Sequence, residues 1–236
     1  NPRRSRLFFD FCHRFFRAPD VNLEERVSVN QCGADAGLFS QNRKNAANRQ
    51  SILKEAGFPD DATVLLYAGR LSPEKNVEFL PKVLRSLLDF RNLDTQKREY
   101  RFLIVGDGPS RRGLEGELGR LAPGKFAFFG HIADKDRLAD IYANSDIFVH
   151  PNPREPFGIG PLEAMASGLP VVAPNSGGVL SYATEENAWL SEAHVEGYFT
   201  AIRDVFNDPD KRSLKVRSAI ETAEKYSWQK STDNLF

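Results

Sequence analysis

The chain has 236 residues, of which 41% are hydrophobic, so it is long enough for one large domain with extensions. Its 32 Lys and Arg residues balance its 32 Asp and Glu residues, and this balance argues against the broad basic surface of a nucleic-acid-binding protein. The two cysteines, Cys12 and Cys32, form no metal-binding or disulfide pattern. They fit reduced thiols in a reducing compartment, so we expect a cytoplasmic location, with membrane association left open.

The N-terminal quarter of the chain has no regular pattern of alternating elements. The aromatic stretch Leu7–Phe16 lies among several arginines. It fits either a peripheral contact with a membrane or partner, or a helix cut from a larger domain. Arg26–Asn30 is a candidate strand, and Asn42–Gly57 is expected to form a polar helix that ends at its glycine. We therefore expect residues 1–26 to be a linker or the remnant of a preceding domain, and residues 27–236 to form the folded unit.

From residue 63 onward, short apolar runs alternate with longer stretches of helical periodicity. The predicted strands are Thr63–Gly69, Tyr100–Gly106, Phe126–Gly130, Asp146–His150 and Pro170–Ala173. The predicted helices cover residues 75–90, 110–121, 135–144, 159–167, 193–207 and 210–226. Pro81 interrupts the first of these helices and is expected to kink it or to remove a backbone hydrogen bond. Unbroken apolar strands that alternate with helices predict a doubly wound, mostly parallel α/β domain with a Rossmann-like sheet.

The loop after the first of these strands carries two cations. Ligands of open α/β sheets bind at the carboxyl ends of the strands, so this is where site residues are expected. Gly69 permits a tight turn, and Arg70 and Lys75 follow it in the sequence Gly-Arg-Leu-Ser-Pro-Glu-Lys. The two cations could neutralise a diphosphate, and a solvated surface pair is an equally open reading of the same residues.

The loops after the next two strands give weaker signals. Gly106–Pro109 resembles the start of a dinucleotide-binding fingerprint, but Arg111 stands where the third glycine would be. This segment therefore predicts a tight turn and not a phosphate-binding loop. After the third strand, the backbone around His131 and Ile132 could lie beside a nucleobase, although a single histidine carries little weight by itself.

The segment Pro153–Gly168 has the most functional content. Phe157–Gly160 leads into a predicted helix, and free N–H groups at a helix start form an anion-binding site. Its glycines would let phosphate oxygens approach the backbone. Glu155 lies before this helix, and Glu163 lies within its first two turns. The second glutamate could accept hydrogen bonds from two sugar hydroxyls, or could simply favour the positive end of the helix.

Together these segments resemble the retaining glycosyltransferases of family 4. The resemblance rests on Gly-Arg-Leu-x-x-Glu-Lys at residues 69–75, Val-Gly-Asp-Gly-Pro at 105–109, and Glu-x7-Glu at 155–163 with Phe-Gly and Glu-Ala-Met-Ala-x-Gly around it. It covers about residues 27–236 and matches the C-terminal, donor-binding half of the two-domain GT-B fold. The chain departs from the family at Ser181, where a Glu is often found.

The resemblance implies roles by position. As catalytic residues, Arg70 and Lys75 would hold the donor diphosphate, and Glu155 would contact the transferred sugar. Backbone groups at 157–159 would cradle the distal phosphate, Glu163 would bind the ribose hydroxyls, and residues 131 and 132 would lie beside the base. The substrate-binding set implied in this way is Gly69, His131, Ile132, Phe157, Gly158, Ile159 and Glu163.

The resemblance also implies the kind of reaction. The donor would be a nucleotide-diphosphate sugar, with UDP as the expected carrier, and transfer would proceed with retention and without a protein nucleophile, metal ion or other cofactor. An N-terminal domain would bind the acceptor sugar or lipid, and the first 26 residues are too few to form it. We therefore expect this chain to bind a donor and to transfer nothing by itself.

Three other readings are left open by the sequence. The chain could be a non-catalytic nucleotide-sugar-binding module that acts with a separate N-domain chain. It could be an epimerase or a phosphorylase of the same overall fold, although no segment marks the lysine that a phosphorylase needs for pyridoxal phosphate. A purely structural α/β domain would leave the two cations and the two glutamates unexplained.

Overall fold

The computed structural model describes residues 33–90 and 98–233. Within these ranges a single parallel sheet has the strand order β3-β2-β1-β4-β5-β6. The strands are β1 (Ala62–Ala68), β2 (Glu99–Val105), β3 (Phe126–Gly130), β4 (Ile147–Val149), β5 (Val171–Pro174) and β6 (Trp189–Ser191). This order is that of a doubly wound, Rossmann-like sheet, so the predicted fold class is confirmed. The segment Leu7–Phe16, the candidate strand Arg26–Asn30 and both cysteines lie outside the described residues.

Helices cover both faces of the sheet. They are α1 (Ala46–Ala56), α2 (Leu80–Asp89), α3 (Arg111–Leu121), α4 (Lys135–Ala143), α5 (Ile159–Ala166), α6 (Val195–Asn207), α7 (Pro209–Lys225) and α8 (Trp228–Asp233). Single turns of 3₁₀-helix occur at Gln41–Arg43, Pro73–Lys75, Val77–Phe79 and Gly178–Ser181. Over the ranges that the structure covers, these helices are too short or too polar to cross a membrane.

The central strand β1 explains why the sheet needs two helical layers. Its side chains alternate between faces: Val64 and Leu66 pack into one hydrophobic core, and Leu65 and Tyr67 pack into the other. All four are at most 3% exposed. Each such side chain contributes about 1.5–3 kcal/mol when it leaves water. The strand β3 differs from the buried strand predicted, since all its residues are partly exposed at the edge of the sheet.

The predicted helix at residues 75–90 is wrong in its first turn. Asn76 adopts a left-handed backbone conformation with φ 54°, and α2 begins only at Leu80. The side chain of Asn76 donates from Nδ2 to the carbonyl of Pro151 at 2.8 Å, and this tertiary contact accompanies the break. Pro81 therefore lies in the first turn of α2, where a missing N–H costs nothing, and the expected kink is corrected.

Two further boundaries differ from the sequence prediction. The predicted helix Asn42–Gly57 is a 3₁₀ turn followed by α1, because Asn45 caps α1 by accepting from two backbone N–H groups. Its predicted end is confirmed, since Gly57 adopts the left-handed conformation with φ 66°. The strand β6 was not predicted, because its apolar run is short and the strand ends in a serine.

The fold places the site at the carboxyl edge of the sheet. Strand β1 lies between β2 and β4, and the chain order reverses at the β1–β4 neighbours. Loops that leave two such strands diverge to opposite faces and open a crevice between them. The loop after β1 contains Gly69–Lys75 and the loop after β4 contains Glu155, so the topology brings together segments that lie about eighty residues apart.

Candidate functional site

Two cavities meet at the carboxyl edge of the sheet. The first has a volume of about 330 Å³, and the second has a volume of about 420 Å³. Both are lined by Ala68–Arg70 and by Ile159 and Gly160, so they form one continuous cleft. The first cavity also contains Lys75, Glu155, Phe157 and Gly158, and the second also contains His131, Ile132 and Glu163. The structure therefore brings all ten residues singled out from the sequence into one cleft.

An ion pair spans the first cavity. Lys75 Nζ lies 2.9 Å from both carboxylate oxygens of Glu155, and Asn152 donates from Nδ2 to Oε2 at 3.0 Å. Glu155 is only 8% exposed. Burial acts to raise the pKa of Glu155, but the hydrogen bonds from Lys75 and Asn152 outweigh it and hold the pKa below its ordinary value. The carboxylate is thus charged at neutral pH, and Lys75, for which the sequence left open a diphosphate contact or a solvated surface position, pairs with Glu155.

Arg70 lies on the rim where the two cavities meet, and it is exposed. The hydroxyl of Tyr67 donates to the carbonyl of Arg70 at 2.9 Å, which fixes the loop that carries the guanidinium. A Cβ on Gly106 would overlap the carbonyl of Gly69, so these two loops pack backbone to backbone. Arg70 is therefore a cation on a fixed loop that faces both halves of the cleft.

The start of α5 forms the opposite wall. Gly158 precedes the helix with φ 90°, its carbonyl accepts a hydrogen bond from the hydroxyl of Tyr182, and no side chain caps the helix. The backbone N–H of Gly178 donates to the carbonyl of Glu155 at 2.6 Å. A Cβ on Gly178 would overlap the carbonyl of Pro156, so two loops clamp the segment that carries Glu155. Free N–H groups at a fixed helix start suit a phosphate group.

Substitution of Gly158 by Ala is expected to lower the free energy of unfolding by about 1–2 kcal/mol, because φ 90° is strained for an L-residue. The added Cβ would also lie 3.0 Å from the hydroxyl of Tyr182. Urea denaturation measures the change. The matched control is Gly116→Ala within α3, where the Cβ meets open space and helix propensity predicts a gain of up to about 1 kcal/mol. A loss for the control, or none for Gly158→Ala, would contradict this reading.

Glu163 lies in the second turn of α5 and lines the second cavity. The hydroxyl of Tyr142 donates to its Oε2 at 3.1 Å. Burial raises the pKa of Glu163 to about 7, against the opposing effect of this hydrogen bond. The helix-dipole effect falls off beyond the first turn, so the alternative reading of Glu163 as a residue that favours the helix start loses weight. A partly buried carboxyl that opens into a cavity suits a pair of ligand hydroxyls.

The loops after β2 and β3 form the far wall of the second cavity. His131 is exposed and Ile132 is half-buried. The segment Gly106–Pro109, predicted as a tight turn, packs closely against the loop after β1, since a Cβ on Gly108 would overlap the carbonyl of Leu71. The same prediction omitted Gly106 and Asp107 from the site, and the structure corrects this, since both line the second cavity.

Sequence reasoning missed three polar residues that line the cleft, His150, Asn152 and Tyr142, and also Tyr182, whose hydroxyl donates to the carbonyl of Gly158 behind it. His150 follows β4 directly, so the rule that ligands bind at the carboxyl ends of strands could have identified it. Asn152 lies three residues before Glu155 in a loop, and only the folded contact reveals its role. The two tyrosines lie on other elements, and no local pattern marks them.

The described ranges contain no group of three or more His, Cys, Asp or Glu side chains that could hold a metal ion. The expectation of a reaction without a metal or other cofactor stays a prediction. In this part of the chain the cations available to an anionic ligand in the cleft are Arg70 and Lys75, together with the start of α5.

Comparison with known proteins identifies the family. The family model "Glycosyl transferases group 1" matches residues 48–225. The sulfoquinovosyl transferase SQD2 of Arabidopsis thaliana is 31% identical over 208 residues, which cover 86% of this chain and 38% of that protein. The D-inositol 3-phosphate glycosyltransferase 2 of Catenulispora acidiphila is 34% identical over 211 residues, which cover 86% of this chain and 48% of that protein. The chain thus spans less than half the length of these two relatives.

Solved structures share the fold. Anabaena HepE in complex with UDP matches with a TM-score of 0.71 and 21% identity, over 86% of this chain and 54% of that one. The C-terminal domain of a glycosyl transferase group 1 family protein from Francisella tularensis matches with a TM-score of 0.67 and 21% identity, over 84% of this chain and 100% of that domain. Because the family model matches well over half of its residues, the chain belongs to the group 1 glycosyl transferases.

Proposed function

We propose that the chain is the donor-binding domain of a retaining, family 4 glycosyltransferase that moves a sugar from a nucleotide-diphosphate sugar to an acceptor. One observation carries the proposal. Two cavities with different chemistry, one with a Lys–Glu ion pair and one with a partly buried carboxyl, join at a strip that carries Arg70 and the start of α5. This order matches a ligand with a sugar at one end, a diphosphate in the middle and a nucleoside at the other end.

The diphosphate is assigned to the shared strip. Arg70 offers a fork of donors from one side, and the uncapped N–H groups at the start of α5 lie on the other. Gly158 and Gly160 leave room for phosphate oxygens near the backbone. When the glycosidic bond breaks, negative charge grows on this diphosphate, and fixed donors stabilise it without reorganisation.

The nucleoside is assigned to the second cavity. Glu163 would accept hydrogen bonds from the two ribose hydroxyls, and its position at the wall of the second cavity supports this. A carboxylate with two oxygens is matched to a vicinal diol. Ile132 and the backbone beside His131 would border the base. UDP is the proposed carrier, and the solved UDP complex of Anabaena HepE, which has the same fold, supports this choice.

The transferred sugar is assigned to the first cavity. Glu155 would accept hydrogen bonds from sugar hydroxyls, and Lys75 would extend from Glu155 toward the diphosphate. Both oxygens of Glu155 already accept from Lys75, and one also accepts from Asn152, which favours a binding role over nucleophilic attack. Retention through front-face substitution, in which the departing phosphate assists the incoming hydroxyl, is therefore the proposed course.

The acceptor side is proposed to lie in the part of the relatives that this chain does not match. The chain spans 38% and 48% of the two relatives described above, so a second half of similar size is available for an acceptor sugar or lipid. The proposal also includes a cytoplasmic location, a peripheral membrane contact through Leu7–Phe16, and chemistry without a metal or other cofactor. The alternative, a binding module that acts with a separate N-domain chain, shares the same cleft.

Isothermal titration calorimetry of the chain with UDP, GDP and their sugar conjugates tests the proposal. We expect one nucleotide to bind per chain, and we expect NMR of the mixture with simple sugar acceptors to detect no transfer. If no nucleoside diphosphate binds, the donor-site assignment is wrong. If sugar is transferred by the chain alone, the assignment of the acceptor site to another domain is wrong.

A further inference from the structure

His150 lies in the first cavity and has no role in the arrangement described so far. It follows β4 at the carboxyl edge of the sheet and is 6% exposed. Its backbone is fixed on both sides: its N–H donates to the carbonyl of Val172 at 2.9 Å, and its carbonyl accepts from the hydroxyl of Tyr198 at 2.6 Å. The backbone position therefore does not depend on any contact of the imidazole ring.

The imidazole carries an unsatisfied nitrogen. Nε2 of His150 is buried and has no hydrogen-bond partner among the described residues. A neutral imidazole always has one N–H donor and one acceptor nitrogen, so the missing bond costs stability in either tautomer. Buried polar groups are rarely left unpaired. Because His150 lines the first cavity, a ligand bound there is in a position to complete the hydrogen bonding of the ring.

The charge state of His150 excludes a role as a counterion. Burial lowers the pKa of His150 to about 4, the nearby charge of Glu155 opposes this shift, and the charge of Lys75 adds to it. The ring is thus neutral at pH 7, and Glu155 is already paired with Lys75. A neutral donor–acceptor ring suits a neutral ligand group that can both donate and accept, and a hydroxyl is such a group.

We propose that His150 is a specificity-determining residue that forms a hydrogen bond with a hydroxyl of the transferred sugar. This inference rests on the proposed function, since it assigns the first cavity to the sugar. The hydroxyl can donate to the ring or accept from it, so either tautomer serves. The proposed contact requires Nε2 to reach the cavity that His150 lines, and a rotation of the ring about its Cβ–Cγ bond would leave the backbone hydrogen bonds to Val172 and Tyr198 in place.

The variant His150→Phe separates this role from a structural one. It keeps an aromatic ring of similar size and removes both nitrogens. We expect its melting temperature to rise, because the unpaired nitrogen is gone. We expect the affinity for UDP and GDP to be unchanged. The nucleotide sugars to be tested are UDP-glucose, UDP-N-acetylglucosamine and GDP-mannose. The sugar preference is the ratio of the affinity for a nucleotide sugar to the affinity for its free diphosphate. For the nucleotide sugar that the unsubstituted chain prefers, we expect this ratio to fall about three- to tenfold.

The control is His194→Phe, which removes a histidine that caps α6 outside the cleft. It should lower the melting temperature and leave every sugar preference unchanged. The proposal is overturned if His150→Phe keeps the full preference for the sugar, or if it weakens binding of the free diphosphate to the same extent. It is also overturned if the unsubstituted chain binds diphosphates but prefers none of the sugars. Failure to bind any nucleotide would instead refute the proposed function itself.

Discussion

Replacement of Glu163 by Gln is expected to stabilise the fold at pH 8 and to weaken its binding of a nucleoside diphosphate. The folded pKa of Glu163 is about 7, above the ordinary value of 4.5. Between pH 4.5 and about pH 7 the Glu163 carboxyl is ionised in the unfolded chain but largely protonated in the folded one. The free energy of unfolding therefore falls as the pH rises through this window. Above pH 7 the full cost applies, about 3 kcal/mol for a shift of this size. Gln carries no charge and avoids this cost.

The effect on binding has the opposite sign. Loss of the carboxylate that we propose as the acceptor of two ribose hydroxyls is expected to cost about 1–3 kcal/mol of binding free energy. Ribose hydroxyls favour the charged carboxylate, so binding near pH 6 should release protons from Glu163 and should weaken as the pH falls. Thermal unfolding at pH 5 and pH 8, and calorimetry in two buffers of different ionisation enthalpy, measure both effects. Equal affinity for the variant and the unsubstituted chain would return Glu163 to a purely structural role.

Replacement of Lys75 by Met is expected to weaken both the fold and nucleotide binding. Glu155 would remain buried with Asn152 as its hydrogen-bond donor and without its counterion. We expect the free energy of unfolding to fall by about 2 kcal/mol, since one partner of a largely buried pair is lost. The affinity for a nucleoside diphosphate should fall by about 1.5–3 kcal/mol, the usual range for a charged hydrogen bond.

The pH dependence identifies the pair as the cause. The folded pKa of Glu155 is lowered, so the pair stabilises the fold above the ordinary carboxyl pKa, and this contribution is lost as the pH falls through the lowered value. Lys75→Met should remove that acid-dependent loss. A double-mutant cycle with Glu155→Gln should restore stability in the double variant without restoring diphosphate binding.

A matched control is Lys125→Met. Lys125 pairs with Glu99 at 3.2 Å, its side chain is 32% exposed like that of Lys75, and it lies outside the cleft. This variant should leave nucleotide affinity unchanged. Equal losses of affinity for Lys75→Met and Lys125→Met would show a general charge effect and would contradict the assignment of Lys75 to the donor site.

The sequence predicts those features that local pattern determines. Five apolar runs in the sequence correspond to the strands β1 to β5. Ligands of such sheets bind at the carboxyl ends of the strands, and the residues predicted on this basis line one cleft. The start of α2 could not be predicted, because the left-handed backbone of Asn76 goes with a contact to Pro151, 75 positions away. The ion pair between Lys75 and Glu155 could not be predicted for the same reason, since it joins loops 80 positions apart.

The unpaired nitrogen of His150 is a further example of a feature that only the folded chain shows. Its position after β4 is visible in the sequence, but its burial and its lack of a hydrogen-bond partner among the described residues depend on packing from β5 and α6. Residue type and strand position therefore locate the site, whereas the charge states and unmet hydrogen bonds that decide its chemistry come from tertiary contacts.

The most direct test of the proposed donor site is the change in backbone amide NMR shifts on titration with UDP and with GDP. We expect the amides that move to lie at residues 69–70, 106–107, 131–132 and 157–160, which line the two joined cavities. A third cavity, lined in part by Trp189, His194 and Lys215, serves as the internal reference and should not respond. Shifts confined to that third cavity, or no shifts with either nucleotide, would contradict the binding of a nucleotide sugar in the cleft.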